Sequence, residues 1–333
     1  MEHAMDVRIR SLNPPCREAL LVLAFFLAMA FCFRLTAPSF AADKAEPAFV
    51  DPARLEAHVR TLSETLGPRD AGHPGNLDRA ASYIRSAFEQ TRGKTWDQPF
   101  QVGRTTYRNV VAAFGPPSGE RIVVGAHYDT AGPYPGADDN ASGVAGLIEL
   151  AGLLGKAPPA SRVDLVAYTL EEPPFFRSEH MGSAVHARAL KAEGVAVRAM
   201  LSLEMIGYFT DAEDSQTFPA PGLSLFYPTA GNFIAVVGRL GEGGLVRRIK
   251  KAMSKASSLP VHSINAPRFL SGVDFSDHLN YWEAGYPAAM ITDTAFYRNP
   301  NYHAATDTPD TLDYRRMAQV VAGVYAAVLD LAR

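Results

Sequence analysis

The sequence predicts an α/β fold: one central, mostly parallel mixed sheet flanked by helices on both faces. Three observations predict it. Apolar runs such as "VDLVAYTL" (163–170) have no polar alternation, so they read as buried strands. Segments of helical periodicity lie between the strand-like runs, which suits parallel crossovers. Turn signals such as "GPPSG" (115–119) punctuate them.

The elements follow in chain order. Residues 51–67 read as a helix with Leu55, Val59 and Leu62 on one side, stopped at Gly67-Pro68. Residues 76–91 read as a second helix capped by Asn76. Residues 105–114 and 121–129 are strand-like, and 141–155 is helical. A strand at 163–170, a helix at 181–194 and a strand at 199–207 continue the alternation. Residues 232–238 and 287–294 read as further strands, and an amphipathic helix over 314–332 closes the chain.

Composition narrows the function classes. The chain has 333 residues, 47% hydrophobic and 20% charged, which are globular values. A net charge of −3 gives no basic field that would recommend nucleic acid as a partner. The first residues differ from the rest. Arg8, Arg10 and Arg17 precede the apolar run 19–33, and "SFAA" (39–42) offers small residues at the spacing of a cleavage site. The run is shorter than the roughly 20 residues of a membrane-spanning helix. Residues 1–41 therefore read as an export signal and 42–333 as the mature domain, destined for the periplasm or the exterior. An uncleaved anchor at 19–33, and with it membrane attachment, is the alternative. Cys16 and Cys32 both lie in this leader, so the mature domain holds no cysteine; a domain of this size can rest on its core alone.

In open α/β sheets, function collects beyond the carboxyl ends of the strands. There this sequence places His127 and Asp129, then Asp139 at the mouth of a helix, then Glu171 and Glu172, then Glu204, and finally His303 in the loop after the last strand. Singly, each has a bland reading as a cap, a turn or a solvated charge. Glu204 resists it. It sits between Leu203 and Met205 in an apolar run, and an unpaired buried carboxylate costs several kcal/mol. A cation removes that cost. Imidazole with carboxylate and no thiolate suits zinc, with cobalt or manganese as substitutes. Two imidazoles and three carboxylates exceed one tetrahedral catalytic site, and suit two ions sharing a carboxylate. Two divalent ions against three carboxylates leave one positive charge, enough to hold a hydroxide.

Four motifs in order, "GAHYDT" (125–130), "GADDNASG" (136–143), "EEPPFF" (171–176) with "LEMIG" (203–207), and "YHAATDTPDTLDY" (302–314), resemble the M28 family of zinc peptidases, of the bacterial leucyl-aminopeptidase type, over roughly residues 50–333. The resemblance implies a single phosphorylase/hydrolase-like zinc aminopeptidase domain. It also implies two Zn2+ ions per chain. His127 and Glu204 would bind one ion, Glu172 and His303 the other, and Asp139 would bridge both. Glu171 would be the general base, Asp129 would orient His127, and the Asp139-Asn140 peptide would be cis. The substrate would be a peptide with a free N-terminus. Neighbouring Glu171 and Glu172 cannot point the same way in a strand, so one can bind metal while the other faces the water.

Other candidates carry less. Asp277 and His278 in "FSDH" (275–278) could contact substrate, or Ser276 or Asp277 could simply cap a helix. His180 lies near Glu171 in sequence. His186 reads as a helix-surface residue, and His58, His73 and His262 read as structural. Phe296 or Tyr297 could wall a pocket, and the acidic segment 209–222 could form its rim or be a solvated excursion. Two other functions compete with an aminopeptidase: a glutaminyl-cyclase-like acyltransferase using one zinc, and a catalytically silent binding domain.

Overall fold

The computed structural model describes residues 47–333, with positions 20, 22–24, 29 and 36 before them. The expected export signal, its cleavage site and the alternative anchor at 19–33 therefore lie largely outside the described residues. Among those described, no helix is long and apolar enough to cross a membrane.

Numbered from Pro52, helix α1 (Pro52–Arg60) is capped by Asp51, whose carboxylate accepts from Ala53 N, and has proline in its first turn. It buries Leu55 and Val59. Helix α2 (Pro74–Glu89) starts two residues before the expected cap. Asn76 instead donates to the Pro68 carbonyl at 2.9 Å, and Pro74 sets the first turn. Strands β1 (Lys94–Val102) and β2 (Thr105–Phe114) form an antiparallel pair at one side of the sheet. The sequence reading passes over β1, because an edge strand with one polar face and Pro99 carries little apolar signal.

The core strands are β3 (Arg121–His127), β4 (Arg162–Tyr168), β5 (Val197–Glu204), β6 (Ile234–Arg239), β7 (Val261–Ala266) and β8 (Ala288–Thr292). The eight described strands lie in the order β1-β2-β4-β3-β5-β8-β6-β7. Neighbours β4, β3, β5 and β8 run parallel, so their carboxyl ends line one edge of the sheet. Strand β6 runs against β8. The expectation of a mostly parallel mixed sheet holds.

Helices α3 (Gly143–Lys156), α5 (Gly243–Ala256) and α7 (Tyr314–Leu331) join α1 and α2 on one face; α4 (Gly182–Ala192) and α6 (His278–Ala284) cover the other. The chain leaves β3 for β4 through α3 on the first face. It leaves β4 for β5, on the far side of β3, through α4 on the second. The two crossovers diverge at the end of β3 and open a crevice there.

Candidate metal centre

Strand β3 delivers His127 to that crevice, 1% exposed. The chain then loops to the tight turn Ala137–Ser142, in which Asp139 and Asn140 leave helical geometry and the Asp139-Asn140 peptide is cis. Three ties hold the turn. The amides of Asp138 and Asp139 donate to the two oxygens of Asp307 at 2.9 and 3.1 Å. Asn140 donates to Leu203 O and accepts from Gly143 N and Met205 N. Asp138 accepts from Gly207 N and Asn299 Nδ2. Gly143 lets α3 begin hard against β5, since a Cβ there would stand 2.6 Å from the Leu203 carbonyl.

The five expected ligands meet at this place. His127 Nε2 lies 3.3 Å from Asp139 Oδ1 and 3.3 Å from Glu204 Oε2. His303 Nε2 lies 3.1 Å from Asp139 Oδ2 and 3.2 Å from Glu172 Oε1. Asp139 thus offers one oxygen to each imidazole, and each imidazole has a second carboxylate of its own. Tetrahedral zinc with ligands about 2.0–2.2 Å away sets its ligand atoms roughly 3.3–3.6 Å apart, close to these separations. Asp139 Oδ1, Glu172 Oε1 and His303 Nε2 are buried with no hydrogen-bond partner among the described residues. Buried polar atoms are rarely left so, and these three border one small space. The residues fit the binding of a divalent cation.

The electrostatics agree. Burial alone would lower the His127 pKa, but Glu204, Asp129 and Asp139 hold it well above the usual imidazole range. His303 is likewise opposed by burial yet raised to about 10 by Asp139 and Glu172. Burial, reinforced by Asp139, pushes Glu172 up to about 8. The pocket holds more negative charge than its imidazoles can balance, and protons or cations must supply the rest.

The two glutamates are arranged differently from expectation. β4 ends at Tyr168, and Glu171 and Glu172 follow Leu170, whose φ is +61°. They sit in a turn rather than a strand, so pleat alternation does not separate them. Each offers an oxygen within 4.8 Å of the other's and of His127. Burial, with Glu172 and Glu204 nearby, holds Glu171 well above the usual carboxylate range, against the pull of His127. Asp129 secures this turn: its two oxygens accept from Glu171 N at 3.1 Å and Glu172 N at 3.0 Å. Its Oδ1 also lies 3.6 Å from His127 Nδ1, which is 3.2 Å from the Asp129 carbonyl.

Asp277 and His278 part company. Asp277 is fully buried, neither of its oxygens has a partner among the described residues, and burial pushes its pKa up to about 7. His278 turns away, with Nε2 2.8 Å from the Val273 carbonyl and its ring edge-on to Trp282. Ser276 caps nothing; its hydroxyl donates to Glu204 Oε2 at 2.7 Å. His180 packs edge-on against Phe175. His186 is not on the surface. It is 4% exposed, with Nδ1 2.6 Å from the Tyr281 hydroxyl. An apolar pocket opens beside Glu204, walled by Phe218, Leu270, Met290, Phe296 and Tyr302, so the 209–222 segment contributes to its rim. The sequence offers Ser276 only a cap reading and gives Asp307 no role. Their proximity to the ligand motifs, "FSDH" and the fourth residue after His303, is the signal that could have found them.

Comparison with known proteins follows the same line. Residues 109–328 match the sequence model of Peptidase family M28. The uncharacterized protein YfbL of Escherichia coli K12 is 50% identical over 286 residues, covering 84% of this chain and 88% of YfbL. The probable leucine aminopeptidase 1 of Trichophyton verrucosum is 29% identical over 68% of this chain, which spans 58% of that relative's length. Among solved structures, BSAP, a zinc aminopeptidase from Bacillus subtilis, superimposes with a TM-score of 0.68 at 16% identity, covering 85% of this chain and 95% of that one; at that identity the likeness speaks to fold.

Proposed function

This chain belongs to peptidase family M28 and is a metallopeptidase, and from that premise we propose that it is a two-zinc aminopeptidase. The observation that carries the reading is the sharing of Asp139 between two imidazoles, each with its own second carboxylate. His127, Asp139 and Glu204 would hold one cation, and Asp139, Glu172 and His303 the other. When bound, such cations lower the pKa of water and polarise a peptide carbonyl.

The chain's own residues supply the rest. Glu171, raised in pKa and next to Glu172, takes the proton from the attacking water and returns it to the leaving amine. Asp129 holds the Glu171–Glu172 turn and the His127 ring in one frame. Glu171 and Glu204 are the carboxylates available to a free α-amine. The apolar pocket beside Glu204 receives the side chain of the N-terminal residue. Residues 42–333 form the catalytic unit, and 1–41 direct export.

The test is direct. Chelation abolishes hydrolysis of aminoacyl anilides, and zinc or cobalt restores it; an N-acetylated substrate is refused. Emission spectroscopy counts two metal ions per chain. One ion, with cyclisation of N-terminal glutamine in place of hydrolysis, would establish the cyclase reading instead. Neither zinc uptake nor any turnover would leave a silent binding domain.

A further inference from the structure

We propose that Arg69 is a positioning residue that sets the spacing between His127 and Asp139; the inference rests on the metal-centre reading above. Its side chain is wholly buried, at 0% exposure. Among the described residues no carboxylate pairs with it. Its guanidinium instead donates to four main-chain carbonyls. Nε reaches Tyr128 O at 2.8 Å, Nη1 reaches Leu62 O at 2.7 Å and Pro135 O at 2.9 Å, and Nη2 reaches Gly136 O at 2.9 Å. In return the Arg69 carbonyl accepts from Thr130 N at 3.3 Å.

The acceptors explain the role. Tyr128 directly follows His127. Gly136 directly precedes the Ala137–Ser142 turn that presents Asp139. One rigid fork thus grips both ends of the 128–136 loop and braces them on Leu62, beside α1. The grip leaves no slack: Gly136 has φ +59°, and a Cβ there would stand 2.4 Å from the Asp139 carbonyl and 3.1 Å from Arg69 Nη2. Burying a cation without a partner costs several kcal/mol, and an apolar side chain would fill the volume without that cost. The guanidinium does what no apolar group can, because its planar donors bind several carbonyls in fixed directions. Burial pushes its pKa down to about 10, with Asp307, Asp129 and Asp139 opposing, so it stays charged at neutral pH. Lysine gathers its three donors on one nitrogen and cannot hold all four carbonyls in the directions the guanidinium does.

The test compares wild type and Arg69→Lys in the full chain. Zinc affinity is read by competition with a chromophoric chelator, the ligand geometry by the visible absorption of the cobalt(II)-loaded protein, and folding by thermal melting of the metal-free protein. The expected result is a cooperatively folding variant whose zinc affinity falls about 10- to 100-fold and whose cobalt spectrum shifts. A lowered melting temperature with unchanged zinc affinity and unchanged cobalt spectrum overturns the proposal, leaving Arg69 a fold residue only. If Arg69→Lys does not fold, Arg69→Gln is read in the same way. A wild type that binds neither metal overturns the metal-centre reading and this inference together, whereas equal binding by wild type and variant overturns this inference alone.

Discussion

Two histidine–carboxylate groups are built around acids ten residues apart, Asp139 just before α3 and Glu149 within it, and they resolve their charge in opposite ways. Glu149, on α3, receives Arg54 Nε at 2.8 Å and His58 Nε2 at 3.4 Å, while His58 Nδ1 meets the Tyr83 hydroxyl at 2.6 Å. Burial would raise the Glu149 pKa, but the bonds from His58 and Arg54 outweigh it and the pKa falls. Around Asp139, four acids face two imidazoles, no arginine reaches them by a described ion pair, and Glu171, Glu172 and Glu204 are all raised. The first group is closed by the protein itself. The second leaves its acids in excess of its imidazoles, a balance compatible with metal binding. What separates structural burial of charge from a binding site is therefore whether the partners balance, rather than which residue types are present.

Perturbing each group sharpens the contrast. The largest effect is expected from Glu171→Gln, which keeps zinc but lowers kcat by roughly 10²- to 10⁴-fold. A variant that stays active, with metal content measured alongside, removes Glu171 as the base. Next comes His303→Ala, which takes one imidazole from the shared carboxylate. Zinc content per chain should fall towards one, and unchanged content takes His303 out of the ligand set. Zinc itself should stabilise the wild type by about 2.7 kcal/mol at a hundredfold excess over its dissociation constant. Differential scanning calorimetry with and without chelator reads this, and a melting temperature indifferent to zinc breaks the comparison.

At the closed group the outcome reverses. Glu149→Gln should cost about 0.5–1.5 kcal/mol of stability by weakening its bonds to His58 and to the largely exposed Arg54, with zinc content and kcat/KM unchanged. A loss of zinc there would show that the two groups are not independent. The smallest effect is its pH dependence. Because the folded-state pKa of Glu149 lies below its unfolded value, its contribution is complete above the unfolded pKa and fades as pH falls through the folded one. The stability gap between wild type and Glu149→Gln, measured by denaturant titration, should therefore shrink on going from pH 7 to acid. A gap that widens contradicts the assignment.

Much of this arrangement was legible from local pattern. Apolar runs mark β3, β4, β5 and β8 because strands covered on both faces have no polar alternation to blur them. Once those ends are located, His127, Asp139, Glu204 and His303 fall at the right edge of the sheet. The edge strand β1 was not legible, and neither was the turn at Leu170 that takes Glu171 and Glu172 out of strand geometry. The misjudged residues share a cause. His186 seemed exposed because a single helix does not reveal that α6 will bring Tyr281 against it. A cap at Ser276 or Asp277 stays open in the sequence because nothing near Ser276 along the chain shows Glu204 Oε2 at 2.7 Å.

By itself the sequence determined the fold class, the edge of the sheet where chemistry collects, and the kinds of side chain delivered there. Those depend on periodicity and on residue type, which are properties of neighbours along the chain. Only the tertiary structure decided that Asp139 divides its two oxygens between two imidazoles, that Asp307 and Arg69 hold the turn and loop presenting it, and that Glu149 is neutralised while Glu172 is not. Hydrogen bonds and charge balance act over a few ångströms between groups separated by tens or hundreds of residues. They come into being only when packing brings those groups together.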